Sequence, residues 1–264
     1  MSVKRISEIW IYPIKSLGGI SVPSARVQPK GLQWDRRWML VDERNNFLTQ
    51  RVWPRMALFT LQWQSGQLIV RFRDEHIAIP NQPEGNGFAA TVWNDTVEVI
   101  EVSPALSAWF SKHLEMPCKL VFFPENNPRA VDAAYKVGDD HVSLADAYPM
   151  LIIGQESLND LNKRLSNPVP MNRFRPNLVF TGGLPYEEDG WKNFSVGAVK
   201  VAGVKPCARC VLTTVDQATG EKGTEPLATL STYRKVGAKV LFGQNLIALN
   251  YSEIFVGDEI RLTD

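Results

Sequence analysis

Two cysteines three residues apart, Cys207 and Cys210, flank Arg209 in the run Lys205-Pro206-Cys207-Ala208-Arg209-Cys210-Val211-Leu212-Thr213-Thr214-Val215-Asp216. A guanidinium beside a thiol stabilises the thiolate, the form that binds metals or reacts. The apolar, β-branched run that follows leads to the expectation that Cys210 opens a strand. Three chemistries suit a Cys-x-x-Cys. Zinc would need two more soft or imidazole ligands, and the remaining candidates, Cys118, His76, His113 and His141, form no partner pair. A redox dithiol wants the pair at the start of a helix, where this chain carries the β-branched run. The third is a single thiolate bond to a metal carried by an organic cofactor. Against all three stands a pair of small core cysteines, a reading weakened by Arg209, since an interior guanidinium needs an anion.

Basic residues at apparent strand ends form a second constellation. Tyr12-Pro13-Ile14-Lys15-Ser16-Leu17-Gly18-Gly19 sets Lys15 and Ser16 before two glycines; lysine and serine are phosphate donors, and glycine lets backbone N–H groups approach an anion. Trp34-Asp35-Arg36-Arg37-Trp38 puts arginines into an aromatic stretch. Read as a strand, Arg36 and Trp38 face one way and Arg37 the other, so one arginine turns to a protein-lined cavity. Thr49-Gln50-Arg51 and Asn172-Arg173-Phe174-Arg175-Pro176-Asn177 add more. Each alone is a surface arginine with a snorkelling stem. Together they point to a shared buried anion, since arginine matches phosphate bidentately and does not titrate. In Ser143-Leu144-Ala145-Asp146-Ala147-Tyr148-Pro149, Asp146 is either an acceptor for a ligand ring N–H or a turn residue. The acidic Tyr186-Glu187-Glu188-Asp189-Gly190-Trp191 reads as a solvated turn, too isolated for a hard-metal site.

These residues need a scaffold. Hairpins are expected from Trp38–Val41 to Phe47–Thr49 across 42–46, from Leu58–Trp63 to Leu68–Phe72, and from Thr91–Trp93 to Val97–Val99. Strands this short and evenly spaced suit a barrel or sandwich. A helix is expected after Ser103-Pro104, with Leu106, Trp109, Phe110 and Leu114 on one face. Others are expected over Ser157–Leu165 and from near Thr224, with Leu227 and Leu230 inward. Further strands are expected at Leu151–Ile153, Asn177–Phe180, Val199–Val201, Leu246–Leu249 and Ile260–Leu262. The polar, proline-bearing stretch Pro124–Arg129 is the best boundary. The fold class expected is α+β, mostly β, with domains at 1–122 and 123–264.

With 264 residues the chain can bury a full core, and its 44% hydrophobic content is that of a soluble protein. A net charge of +1 provides no bulk field for nucleic acid or an anionic membrane. Met1-Ser2-Val3-Lys4-Arg5-Ile6 lacks the apolar core of a signal peptide and no apolar run is long enough to span a bilayer. So few thiols do not make a secreted disulfide scaffold. The expected location is cytoplasmic.

Tyr12-Pro13-Ile14-Lys15-Ser16, Phe174-Arg175-Pro176-Asn177, Cys207-Ala208-Arg209-Cys210 with Thr213-Thr214-Val215-Asp216, Phe242-Gly243-Gln244-Asn245 and Val256-Gly257-Asp258-Glu259, in this order and spacing, resemble the MOSC (molybdenum cofactor sulfurase C-terminal) superfamily. Within it, the group nearest this pattern is that of the amidoxime-reducing components and their bacterial relatives. The resemblance covers essentially the whole chain. It implies an amino-terminal MOSC-associated β-barrel domain ahead of a MOSC β-barrel core with a few flanking helices. It also implies a molybdenum–molybdopterin cofactor whose metal is bound by Cys210. The family's phosphate and pterin contacts carry over to Lys15, Ser16, Arg36, Arg175 and Asn177, with Ala208 and Arg209 beside the ligand cysteine and Asp146 near the pterin. Ala147 and Tyr148 stand where the family has smaller hydroxyl residues. The implied reaction is reduction of N-hydroxylated compounds, namely amidoximes, hydroxylamines and N-hydroxylated bases. Three cysteines cannot hold both a two-iron cluster and a molybdenum thiolate, so electrons are expected from a separate ferredoxin-like, flavodoxin-like or cytochrome donor. The competing expectation is a carrier of molybdenum cofactor or sulfur, with Cys207 or Cys210 as a persulfide.

Overall fold

Local sequence signals govern the hairpins. In the computed structural model, which describes residues 3–80, 82–83 and 85–263, Thr60–Gln64 pairs antiparallel with Gln67–Phe72. Ser65 and Gly66 both take positive φ in the turn between them, the two-residue geometry that matches strand twist. A third strand, Glu75–Ile79, completes this small sheet. Gly87–Val92 pairs with Asp95–Glu101 around a turn at Trp93, whose φ is 56°. The terminal residues Met1, Ser2 and Asp264, used above to read the ends of the chain, lie outside the described residues.

Trp38–Val41 forms as expected, but Phe47–Thr49 is not its partner strand. A bridge from Val41 to Phe47 and a hydrogen bond from the Leu48 N–H to the Leu40 carbonyl are what remain of that pairing. The Asp42 carboxylate accepts from the backbone of Arg44 and Asn46 and closes the turn locally. Trp38–Val41 pairs instead with Lys119–Phe122, which joins Asp95–Glu101 in a four-stranded sheet. The helix Pro104–Leu114 packs against this unit through Leu106, Phe110 and Leu114, and Ser103 accepts the Leu106 N–H at 3.3 Å as its cap.

The larger sheet has nine strands. Its centre is Val199–Arg209, Lys239–Ala248, Met150–Gly154 and Leu178–Thr181. The first strand, Arg5–Ile11, pairs with Leu178–Thr181, so hydrogen bonding crosses the boundary expected at 122/123. Pro124–Arg129 is tied down as well, with Lys30 donating to the Pro124 and Glu125 carbonyls and Arg129 buried. Two further short helices occupy Gln155–Asn162 and Leu227–Tyr233. The first starts earlier than periodicity indicates. Its N-terminus is anchored by the Glu188 carboxylate, which accepts from Gly154 N–H at 3.1 Å and Ser157 Oγ at 2.9 Å. The acidic loop is therefore no solvated turn: Glu188 is fully buried, and Asp189 pairs with Arg234. The mostly-β α+β class holds, with a β-barrel-like amino-terminal part.

Candidate functional site

The ladder of Val199–Arg209 against Lys239–Ala248 shifts register between Gly203 and Lys205 and again between Pro206 and Ala208, and ends at Arg209. Cys210 does not open a strand. It stands at the start of a 3-10 turn over Val211–Thr214, where the Thr213 and Thr214 hydroxyls donate to the Cys210 and Val211 carbonyls. Such back-bonding offers the chain an alternative to a sheet ladder, and past Val240 the partner strand turns back, with Lys239 paired to Val236. The two thiols thus sit at a strand end, far from the helix N-terminus that a redox dithiol uses.

Both thiols line a cavity of about 300 Å³. Lys15, Ser16, Arg36, Arg175 and Asn177 line it too, and so do Asp146, Ala208 and Arg209, so the residues that the resemblance assigns to the cofactor meet in one place, whereas Arg173 of the basic set does not line it and pairs with Asp216. Among its described lining residues are seven basic side chains and one carboxylate, Asp146. That imbalance in a buried site fits an anionic ligand.

Tyr12 organises the basic end. Its fully buried ring carries the Arg36 guanidinium 4.4 Å from its centroid and the Arg175 guanidinium at 4.2 Å. Cation–π contact of this kind holds a guanidinium without neutralising it. Arg36 is also held by the buried Asp35 at 2.5 Å and by Asn177 Oδ1 at 3.2 Å. Arg175 donates to the Leu17 carbonyl at 2.6 Å, and burial lowers it to about 10. Neither arginine lies in a strand. Arg36, at φ 52°, precedes the strand that begins at Trp38, and Arg175 and Ser16 also take positive φ, at 53° and 65°. Left-handed backbone at residues with a Cβ costs roughly 1–3 kcal/mol each and gathers at functional sites. Arg37 turns away, fully buried, to Glu125 and the Asp35 carbonyl.

Lys15 is buried, donating to the Leu144 carbonyl at 2.8 Å and to Asp146 at 2.5 Å. Burial lowers it to about 8, against the pull of Asp146. Burial in turn disfavours the Asp146 anion, but the Lys15 and Arg51 charges outweigh this and hold the carboxyl well below the usual carboxylate range. Asp146 is thus no plain turn residue. Its other oxygen accepts Arg51 at 2.6 Å, and the Trp93 indole N–H reaches the first at 3.2 Å.

Arg51 is the residue that sequence reasoning left out of the site. Its Nε donates to Cys210 Sγ at 3.1 Å, and its guanidinium lies 4.3 Å from the Trp93 ring centroid. The sequence marked it as an arginine at a strand end, and nothing local joins it to a cysteine 159 residues away. A second guanidinium serves the other thiol: Arg209 donates to Cys207 Sγ at 3.0 Å and to the Phe174 carbonyl at 2.6 Å, while its Nε is buried without a partner.

Residues 3–117 match the family described as MOSC N-terminal beta barrel domain, and residues 139–261 match the MOSC domain. The chain is 34% identical over 281 residues to mitochondrial amidoxime-reducing component 1 of Mus musculus, spanning 98% of this chain and 82% of that protein. It is 32% identical to the protein of the same description from Homo sapiens, spanning 98% and 83%. To molybdenum cofactor sulfurase of Oryza sativa subsp. japonica it is 31% identical over 96% of this chain, and it spans 33% of that protein. With both domains matched in order and an amidoxime-reducing component aligned over 98% of this chain, the thiol, its arginines and the strands that carry them belong to a chain of the MOSC family.

Proposed function

We propose that this chain is a molybdenum-cofactor oxidoreductase that reduces N-hydroxylated compounds, such as amidoximes, hydroxylamines and N-hydroxylated bases, with electrons from a separate redox protein. The observation that carries this is the Cys210 thiol facing a cavity whose basic lining outnumbers its single carboxylate seven to one. The residues fit a phosphate-bearing cofactor with a soft metal. The buried Arg209 Nε is a donor without a partner, and cysteine sulfur suits this metal class. No three or more His, Cys, Asp or Glu converge among the described residues. The chain therefore offers only its two thiols as soft donors here; we read Cys210 as the ligand, and a metal there would complete its coordination from the cofactor that carries it.

Lys15, Ser16, Arg36, Arg175 and Asn177 would hold the phosphate and pterin, with Ala208 and Arg209 beside the metal ligand. Asp146, half-exposed and ionised, offers an acceptor for a ring N–H. When bound, the cofactor supplies the two-electron chemistry in which the N–O bond breaks and the oxygen leaves as water. The chain's own part is preorganisation. Arg51 donates to the Cys210 sulfur and orients it, and the Trp93 ring in turn holds the Arg51 guanidinium. The relatives named as amidoxime-reducing components support the reaction class. The electron donor is read as a ferredoxin-like, flavodoxin-like or cytochrome protein and the reaction as cytoplasmic; no helix among the described residues is long and apolar enough to cross a membrane.

A second reading, carriage of cofactor or sulfur without turnover, draws on the second thiol, Cys207, with its own arginine, and on similarity to a sulfurase. Elemental analysis after expression in a host that makes molybdenum cofactor, with a Cys210→Ala control, separates the readings. Near-stoichiometric molybdenum with phosphorus, lost in the variant, and amidoxime reduction with a chemical electron donor are expected. Zinc or no metal after cofactor loading would remove the oxidoreductase reading, and tight molybdenum without turnover would favour the carrier.

A further inference from the structure

The cavity has two ends of different chemistry. At one end Tyr12, Arg36, Arg175 and Lys15 gather. At the other, Tyr148, Lys205 and Cys207 line the wall, and Tyr135, which does not line it, meets Tyr148 and Lys205. The Tyr135 and Tyr148 rings meet edge to face, 6.0 Å apart at 80°. The Lys205 ammonium sits 3.9 Å from the Tyr135 ring centroid, a cation–π contact that helps to hold the ring. The loop from Asp146 to Tyr148 thus bridges the two ends, its carboxylate turned to Lys15 and Arg51 and its phenol to Tyr135.

The aromatic corner is rigidly built. Val131, Val142, Ala145 and Ile247 form a small buried cluster against which Tyr148 and Val204 pack. Backbone bonds from Val131 to Asp140 and from Val142 to Arg129 close the segment on itself. The buried Arg129 guanidinium donates to the Ser143 and Ala145 carbonyls at 2.7 and 2.5 Å, and pins the loop that delivers Tyr148. Tyr135 falls between the two family matches, at 3–117 and 139–261, whereas Tyr148, Lys205 and Cys207 lie inside the second.

We infer that the Tyr135–Tyr148 corner is a substrate subsite that takes a flat, uncharged aromatic ring carrying the N-hydroxylated group, and that Tyr148 is its specificity-determining residue. This rests on the reductase reading above. An edge-to-face pair of fixed phenols offers a third ring an offset or edge contact that an alkyl chain cannot match. Lys205 and the Arg209 guanidinium on Cys207 repel a cation at this end. An anion is drawn instead to the basic end. Neutral amidoximes are admitted by this rule, and the protonated amidines formed from them are disfavoured as bound products.

The test needs two readouts. In the first, metal-free protein is titrated with benzamide, acetamide and benzamidinium by calorimetry. Benzamide should bind, weaken about tenfold or more in Tyr148→Ala and in Tyr135→Ala, and stay within about threefold in Tyr148→Phe. Acetamide should be indifferent to all three, and benzamidinium should bind more weakly than benzamide. In the second, cofactor-loaded enzyme with a chemical electron donor is assayed on benzamidoxime and acetamidoxime. Tyr148→Ala should raise KM for benzamidoxime about tenfold with kcat kept, and leave acetamidoxime unchanged. Unaltered benzamide affinity and KM ratio in a folded Tyr148→Ala would overturn the inference. So would a loss of molybdenum from that variant, since Tyr148 would then belong to the cofactor wall. Tyr148-dependent benzamide binding without reduction of any N-hydroxylated compound would uphold the aromatic subsite and remove the reductase reading instead.

Discussion

Burial lowers Lys15 to about 8, from an ordinary value of 10.5. Below pH 8 both folded and unfolded chains hold the proton, and the cost of burying it is fully present. Between 8 and 10.5 the unfolded chain still binds a proton that the folded chain has released, so stability rises with pH across that window. The full effect is roughly 3 kcal/mol by the conversion of pKa to free energy. Binding of an anion runs the other way, because the same proton supplies the charge. For the metal-free protein, the denaturant midpoint should climb from pH 8 to 10 while pyrophosphate affinity falls. Lys30, also lowered to about 8 by burial, adds to the slope, so the quantity to read is the difference between wild type and Lys15→Met. Identical stability profiles for the two, or pyrophosphate binding indifferent to Lys15, would refute this. At this scale the sequence was partly legible. Lysine and serine before paired glycines, and arginines at apparent strand ends, pointed to an anion, and most of these residues line one cavity. Arg51 was passed over as a site residue because its partner sulfur is separated from it by most of the chain.

Among the elements, the strand Val199–Arg209 decides where the thiols point. Its register shift between Pro206 and Ala208 and its end at Arg209, before Cys210, bring both thiols to the same cavity, although they stand an odd number of residues apart. On a regular strand such residues face opposite sides. Gly203 lies at the first bulge, and a Cβ there would sit 2.0 Å from the Trp191 carbonyl oxygen. Gly203→Ala should therefore cost about 1–3 kcal/mol by overpacking and lower molybdenum content, though Gly203 itself does not line the cavity. Urea denaturation beside metal analysis checks this; unchanged stability with full metal would show that the strand adapts. The hairpins and the helix Pro104–Leu114 were legible because turn residues, caps and periodicity lie within a few positions of one another. The end of the thiol strand was not. A β-branched run signals a strand only where a partner strand exists, and pairing stops at Arg209.

For the whole molecule, one hydrophobic cluster joins Ile6, Ile9 and Ile11 of the first strand to Met150, Leu178 and Leu246 of the second half. The cofactor-side cavity draws on both halves as well, from Lys15 and Arg36 to Cys210. Unfolding should be a single transition, with tryptophan fluorescence and far-ultraviolet circular dichroism coincident in denaturant. Two separated transitions would mean that the halves fold apart despite their shared sheet. The amino-acid sequence by itself determined the mostly-β class, the family pattern, most strand and helix positions and the basic-plus-thiol character of the site, because each is written in neighbouring residues. Only the tertiary structure decided the pairing of Arg5–Ile11 with Leu178–Thr181, the burial of Glu188, the arginine on Cys210 and the tyrosine corner opposite the basic end. Those depend on contacts between residues far apart in the chain, and no local periodicity or turn chemistry encodes which distant partner a strand, a carboxylate or a sulfur will meet.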